Sequence, residues 1–299
     1  MVTEGGELPT TETPLRYPGG KSQVYGQIIS ILRCNGMTDR VYVEPFAGGA
    51  GLALKLLFRD DVPAIVLNDI DPAIANFWQT ILDNPDYLCN QLRETPVNLW
   101  SWLQQREIYE DPNCLWTPEH AFATLFLNRT SRSGILRGGP VGGKHQTGAV
   151  KIDARLTPVT IMNLCEKILK IASFRHRITV FSKDALELVG SLAHKSKQHF
   201  IYADPPYIKK GAALYHNSFV DEDHRRFGEG IISCGSPFIV SYDKHPLAHE
   251  IYEELRMRLL TLRYSLSSRQ RIEEYLFFSN DLEIPNEFNG GWKRKDGCS

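Results

Sequence analysis

Short apolar runs that end in glycine or an acid, each followed by a stretch of helical spacing, constrain this chain most. "RVYVEPF" (40–46) is rich in β-branched and aromatic residues and runs into glycines, which predicts a buried strand. "GLALKLLF" (51–58) then predicts a helix with a wide apolar face, and "AIVLND" (64–69) a second strand. Asp71-Pro72 reads as an N-cap followed by proline at the first helical position, opening a helix toward Leu82. The alternation returns later, with strands at 177–182, 198–204 and 237–243 and helices near 184–193, 221–234 and 246–256. "LLTLRYS" and "EEYLFFS" pair as terminal antiparallel strands. Strands alternating with helices predict an α/β fold around a mostly parallel, doubly wound sheet.

Bulk properties exclude little. The 299 residues suffice for one large core and a smaller module, and a formal net charge of −1 leaves only a local basic surface to meet nucleic acid. Cys34, Cys89, Cys114, Cys165, Cys234 and Cys298 form no C-x-x-C pair, so neither zinc nor a disulfide framework is indicated, and scattered thiols fit the cytoplasm. The first residues lack the basic and apolar regions of a signal peptide, and no apolar run is long enough to span a bilayer.

Two corners carry chemistry. In "VEPFAGGAGLAL" glycines let a strand turn sharply into a helix and approach a ligand closely. Asp69 ends the next strand about 20 residues on, the spacing at which an acid takes ribose hydroxyls. The plainer reading is a tight turn with a capping aspartate. In "IYADPPYIKK" Asp204 closes a strand, and Pro205 and Pro206 remove two N–H donors while keeping their carbonyls. A carboxylate beside such a carbonyl accepts hydrogen bonds and donates none, which suits an amino group on an aromatic ring. Tyr207 offers a flat face for a base that has left its duplex. Here the plainer reading is a helix-capping aspartate and two strand-ending prolines.

With "LRYPGGKS" (15–22), "VEPFAGGAG", "NDID", "DPPY", Asn128-Arg129, "HNSF" (216–219) and "SLSSRQRIEEYLFF" (265–278) in this order, the sequence resembles the Dam-like, alpha-group DNA adenine N6-methyltransferases. The resemblance runs from about Leu15 to Ser279 and implies a Rossmann-like methyltransferase sheet with an antiparallel terminal strand. A helical target-recognition domain bearing a β-hairpin would be inserted into it. The implied boundaries are 14–71 and 159–285 for the catalytic domain and 72–158 for recognition, with flexible termini at 1–13 and 286–299. The implied methyl donor is S-adenosylmethionine, leaving as S-adenosylhomocysteine, with no metal. Tyr17 and Lys21 would flank it, Lys21 near its carboxylate or the catalytic loop. Phe46, Gly48 and Gly49 would line its methionine and ribose, Asp69 would take the ribose hydroxyls, and Asp184 would receive its adenine amino group near Phe181 or Ala185. Glu44, Ala47, Ile70 and Asp204 complete that set. Asp204, Pro205, Pro206 and Tyr207 would be catalytic. One departure is Ala50, where the family's F-x-G-x-G ends in glycine; here the glycine is Gly51.

Between 129 and 155 stand Arg129, Arg132, Arg137, Lys144, Lys151 and Arg155 against Asp153 alone. This stretch would neutralise phosphates of double-stranded DNA and read bases. Asn128, Arg129, Arg132, Ile135, Leu136, Arg137 and Lys144 are the candidate contacts, with 132 and 135–137 at a hairpin tip. A solvated loop paired with acids elsewhere is the bland alternative. Serine would favour the rival cytosine N4 chemistry where this chain has Asp204; a catalytically silent DNA-binding homologue is the rival of another class. A monomer is expected, with a restriction or defence-system partner possible in context.

Overall fold

In the computed structural model, the described residues are 11–16, 21–148, 150–209, 219–263 and 271–285. Seven strands form one sheet: β1 (Val41–Glu44), β2 (Ile65–Asn68), β3 (Ile178–Phe181), β4 (His199–Ala203), β5 (Phe238–Asp243), β6 (Arg256–Arg263) and β7 (Arg271–Phe278), in the order β3-β2-β1-β4-β5-β7-β6. The first five pair in parallel; β7 is antiparallel to β5 and to β6. The strand order reverses between β1 and β4, and in such sheets ligands bind beyond the carboxyl ends at that point.

Side chains alternate across the sheet. Tyr42, Phe200, Tyr202 and Ile239 enter one apolar core; Val43, Ile201, Ala203 and Val240 enter a second on the opposite face. The first core lies under α1 (Tyr25–Cys34), α2 (Gly51–Phe58) and α3 (Pro72–Asp83). It continues without a break into α4 (Pro85–Glu94), α5 (Leu99–Glu110), α6 (Pro118–Thr130) and α7 (Pro158–Ser173), through Leu88, Trp102, Phe122 and Ile168. The second core is closed by α8 (Ala185–Leu192), α9 (Asp221–Ser233) and α10 (Pro246–Ile251). Strands buried on both faces explain why these runs are apolar throughout.

Local signals set the helix starts. Asp71 accepts from the Ala73 amide at 2.9 Å with Pro72 following, and Thr157 accepts from Thr160 ahead of α7, each cap contributing about 1 kcal/mol. Two expectations change. The helix expected over 246–256 stops at Ile251, and β6 begins at Arg256, whose guanidinium reaches the Ser279 and Asn280 carbonyls. The recognition hairpin is reduced to a single antiparallel bridge, Ser131 with Pro140, and no strand forms among the described residues of 131–148. Ser133 at φ 56° and Gly134 at φ 76° coil the chain into a 3-10 turn there, and Pro140 has no amide to extend a ladder.

Candidate active site

The glycine turn is pinned from several sides. Ala47 donates its amide to the Asn68 carbonyl at 2.8 Å, Gly48 donates to Asp69 Oδ2 at 2.9 Å, and Trp78 Nε1 of α3 donates to the Gly48 carbonyl at 2.9 Å. Asn68, buried at the tip of β2, donates to the carbonyls of Pro45 and Lys183 and accepts from the Lys183 amide, tying three strand ends together. Gly49 is buried beside it. Asp69 also accepts the Asp71 amide on Oδ1. Burial pushes its carboxyl up to about 7 and Asp71 adds to the rise, against the bonds from the two amides. Ile70, beside it, leaves its large apolar side chain 43% exposed at the strand tip. Phe46 is half-buried edge-on to Phe219 and Phe227.

Glu44 sits inward of the turn. Its Oε1 accepts from the Ala53 amide of α2 at 3.1 Å and from the Tyr42 hydroxyl at 3.2 Å. It thus serves the start of a helix whose N-cap, Ala50, has no polar side chain. Burial pushes its carboxyl up to about 8. Asp184 caps α8 through Oδ1, which takes the Leu186 and Glu187 amides, next to Ala185 and three residues beyond the end of β3. Tyr17 lies outside the described residues, as do 216–218 of "HNSF" and 265–270 of the late motif.

Asp204 follows β4 directly, with Pro205 buried behind it. Its Oδ1 accepts from Lys21 Nζ at 3.0 Å and from Ser241 Oγ at 2.6 Å. Lys21 Nζ also reaches Glu274 Oε2 at 2.9 Å and the Tyr207 hydroxyl at 2.8 Å. Tyr207 in turn donates to Glu274 Oε1. The loop after Tyr207 is fastened by Asp243, whose two oxygens take the Ile208 and Lys209 amides at 3.0 and 3.1 Å. Burial alone would lower Lys21, but Asp204, Tyr207 and Glu274 outweigh it and hold its pKa well above the ordinary lysine value. Burial raises Asp204, and Glu274 raises it further, while Lys21 and Ser241 pull the other way. Ser241 and Asp243 stand on β5, outside the motifs, and Glu274 stands on β7, within the late motif. No local pattern shows that the three meet; register brings them here.

The basic stretch divides. Arg132, Arg137 and Lys144 are exposed, while Ile135 and Leu136 are half-buried, Leu136 against the first core. Asn128 is a correction. It is 1% exposed, and its amide accepts from the Arg16 backbone and donates to the carbonyls of Arg16 and Gly134, so it ties segments together and presents nothing to a surface. Arg129 is half-buried and held to about 10 by desolvation and by Arg16 and Arg155. Arg16 Nη1, Arg129 Nε and Arg155 Nε are buried with no hydrogen-bond partner among the described residues.

A profile of D12 class N6 adenine-specific DNA methyltransferases matches residues 17–269. The chain belongs to that class. This adenine methyltransferase is 24% identical over 279 residues to a type II methyltransferase of Lactococcus lactis subsp. cremoris, covering 87% of this chain and 93% of the relative. It is 23% identical over 280 residues to the DNA adenine methylase of Salmonella typhi, covering 88% and 93%. A type II methyltransferase of Methanocaldococcus jannaschii is 22% identical over 211 residues, covering 64% and 68%. The activity is therefore methylation of adenine N6 in DNA. No group of residues suited to a metal occurs among the described residues, and none of their helices is long and apolar enough to cross a membrane.

Proposed function

We propose that the methyl group comes from S-adenosylmethionine held over the glycine turn and passes directly to N6 of an adenine rotated out of duplex DNA against Asp204–Tyr207. The protein would act in the cytoplasm. The observation that carries this reading is that both protein donors to Asp204 found among the described residues fall on Oδ1, which leaves Oδ2 for the substrate amine.

The residues around the turn fit the donor. Each Asp69 oxygen accepts one backbone amide and retains a lone pair for a ribose hydroxyl. Asp184 uses only Oδ1 for its cap, so Oδ2 can accept an adenine amino group. Ile70 supplies an exposed apolar face that a purine or ribose would cover. When bound, S-adenosylmethionine supplies an electrophilic methyl group on a sulfonium.

The amine's lone pair is delocalised into its ring. Asp204 Oδ2 and the Pro205 carbonyl accept its two N–H groups, favour the pyramidal nitrogen and free that lone pair. Pro205 and Pro206 offer no competing N–H. Asp204 then takes the proton that becomes acidic as the new N–C bond forms. Catalysis is mostly positioning and electrostatics.

The cluster of Arg16, Arg129 and Arg155, with unsatisfied buried N–H groups, supports contact with DNA phosphates, and the exposed Arg132 and Arg137 support contact in front of it. Helices α3 to α6 and the loop after them then form the recognition part, within 72–158.

Asp204→Ala should abolish transfer of labelled methyl groups to DNA while duplex binding in a gel-shift assay persists. Near-normal turnover would refute the role of Asp204.

A further inference from the structure

Glu274 falls within the late motif "SLSSRQRIEEYLFF", and its chemistry is costly. It is 0% exposed, and in register it stands directly across from Asp243, an arrangement that is unfavourable for like charges. Asp243 is engaged with the loop amides of Ile208 and Lys209. Glu274 therefore answers to Lys21 and Tyr207. Lys21 needs only one carboxylate for neutrality, and Asp204 at 3.0 Å already provides it. A second buried acid at 2.9 Å leaves the cluster with one net negative charge.

We propose that Glu274 is a positioning residue for methyl transfer, acting through Lys21 and Tyr207 and giving the cluster the negative charge that faces the nitrogen as it becomes cationic. The inference rests on the reading of Asp204 given above. The three ammonium protons of Lys21 are directed to Asp204, Glu274 and the Tyr207 oxygen, and the Tyr207 proton goes to Glu274. Each hydrogen thus has one place, so Asp204 Oδ1 and the Tyr207 ring are fixed before substrate arrives. During transfer the S–CH3 bond breaks and the N6–CH3 bond forms, the sulfonium leaving as a neutral thioether. The positive charge passes to N6 until its proton moves to Asp204 and on to water. A cluster of charge −1 favours that moment; a neutral one does not.

The test is single-turnover methylation of duplex DNA by Glu274→Gln, an isosteric variant without the charge. The rate should fall on the order of 100-fold, with KM for DNA and for S-adenosylmethionine within about threefold of wild type. Glu274→Asp, which keeps the charge, should lose less. A Gln variant within about threefold of the wild-type rate, or one whose rate falls only in step with KM, overturns the inference. If Glu274→Gln does not fold, Tyr207→Phe, which keeps the ring but removes the hydroxyl through which Glu274 acts, carries the readout: a lower rate at unchanged KM supports the proposal and a wild-type rate overturns it. Asp204→Asn is measured alongside. Retained turnover there removes the reading of Asp204 itself, whereas wild-type behaviour confined to the Glu274 variants removes this inference alone.

Discussion

Single residues here place ionisable groups where a charge is disfavoured, and Glu44 gives this a measurable sign. Its carboxyl sits at about 8 in the folded protein against an ordinary value of about 4.3. The folded state keeps a proton that the unfolded chain releases. The stabilising contribution is therefore complete below the unfolded value and is lost as pH rises through 8. Thermal midpoints of wild type should fall between about pH 6 and pH 9, and those of Glu44→Gln should fall less. Asp69, raised to about 7, has the same sign and leaves a residual slope in the variant. Identical slopes for the two proteins would mean that Glu44 is ionised when folded. At this scale, sequence reading placed Asp204 and Asp69 correctly at strand ends, because that position depends on their own segments alone. It erred at Asn128, because an amide within an arginine-rich stretch looks solvated. Its partners, the backbones of Arg16 and Gly134, belong to tertiary structure.

Among elements, the junction of β1 and α2 carries an inversion of glycine chemistry. Ala50 adopts φ 48°, where a side chain is unfavourable by roughly 1–2 kcal/mol, whereas a Cβ on Gly51 would meet only ordinary contacts at 3.7 and 3.8 Å. The residue order is opposite to what the backbone favours. Ala50→Gly should raise stability by roughly 0.5 kcal/mol in urea unfolding, because relief of strain exceeds the added freedom of the unfolded chain. Destabilisation would show that the alanine methyl, 2% exposed, packs more favourably than its backbone angle costs. The alternation of strands and helices was readable because each element carries its own period and cap. The hairpin was not, since glycines at 134, 138 and 139 suit a coil as well as a tight β-turn. The meeting of Ser241, Asp243 and Glu274 was invisible for another reason: antiparallel register is settled by pairing, not by any segment alone.

For the whole molecule, Arg132, Arg137 and Lys144 lie exposed on one loop of a chain with net charge −1, so association with DNA depends on a local field. Joint substitution of Arg132 and Arg137 by alanine should reduce the slope of log K against log salt by about 2, with folding unchanged. An unchanged slope would place the phosphate contacts elsewhere, with the Arg16, Arg129 and Arg155 group as the remaining source. The parts proposed for recognition and for catalysis also share material. Trp78 on α3 holds the Gly48 carbonyl, and the core beneath the sheet runs on into α4 to α7. Finally, Lys21 meets Glu274 across 253 positions of chain. A polypeptide still emerging from the ribosome can fold its early strands and the glycine turn, yet the corner proposed for catalysis stays unfinished until β7 has been synthesised. On the reading proposed for that corner, methyl transfer would begin only once the sheet is complete.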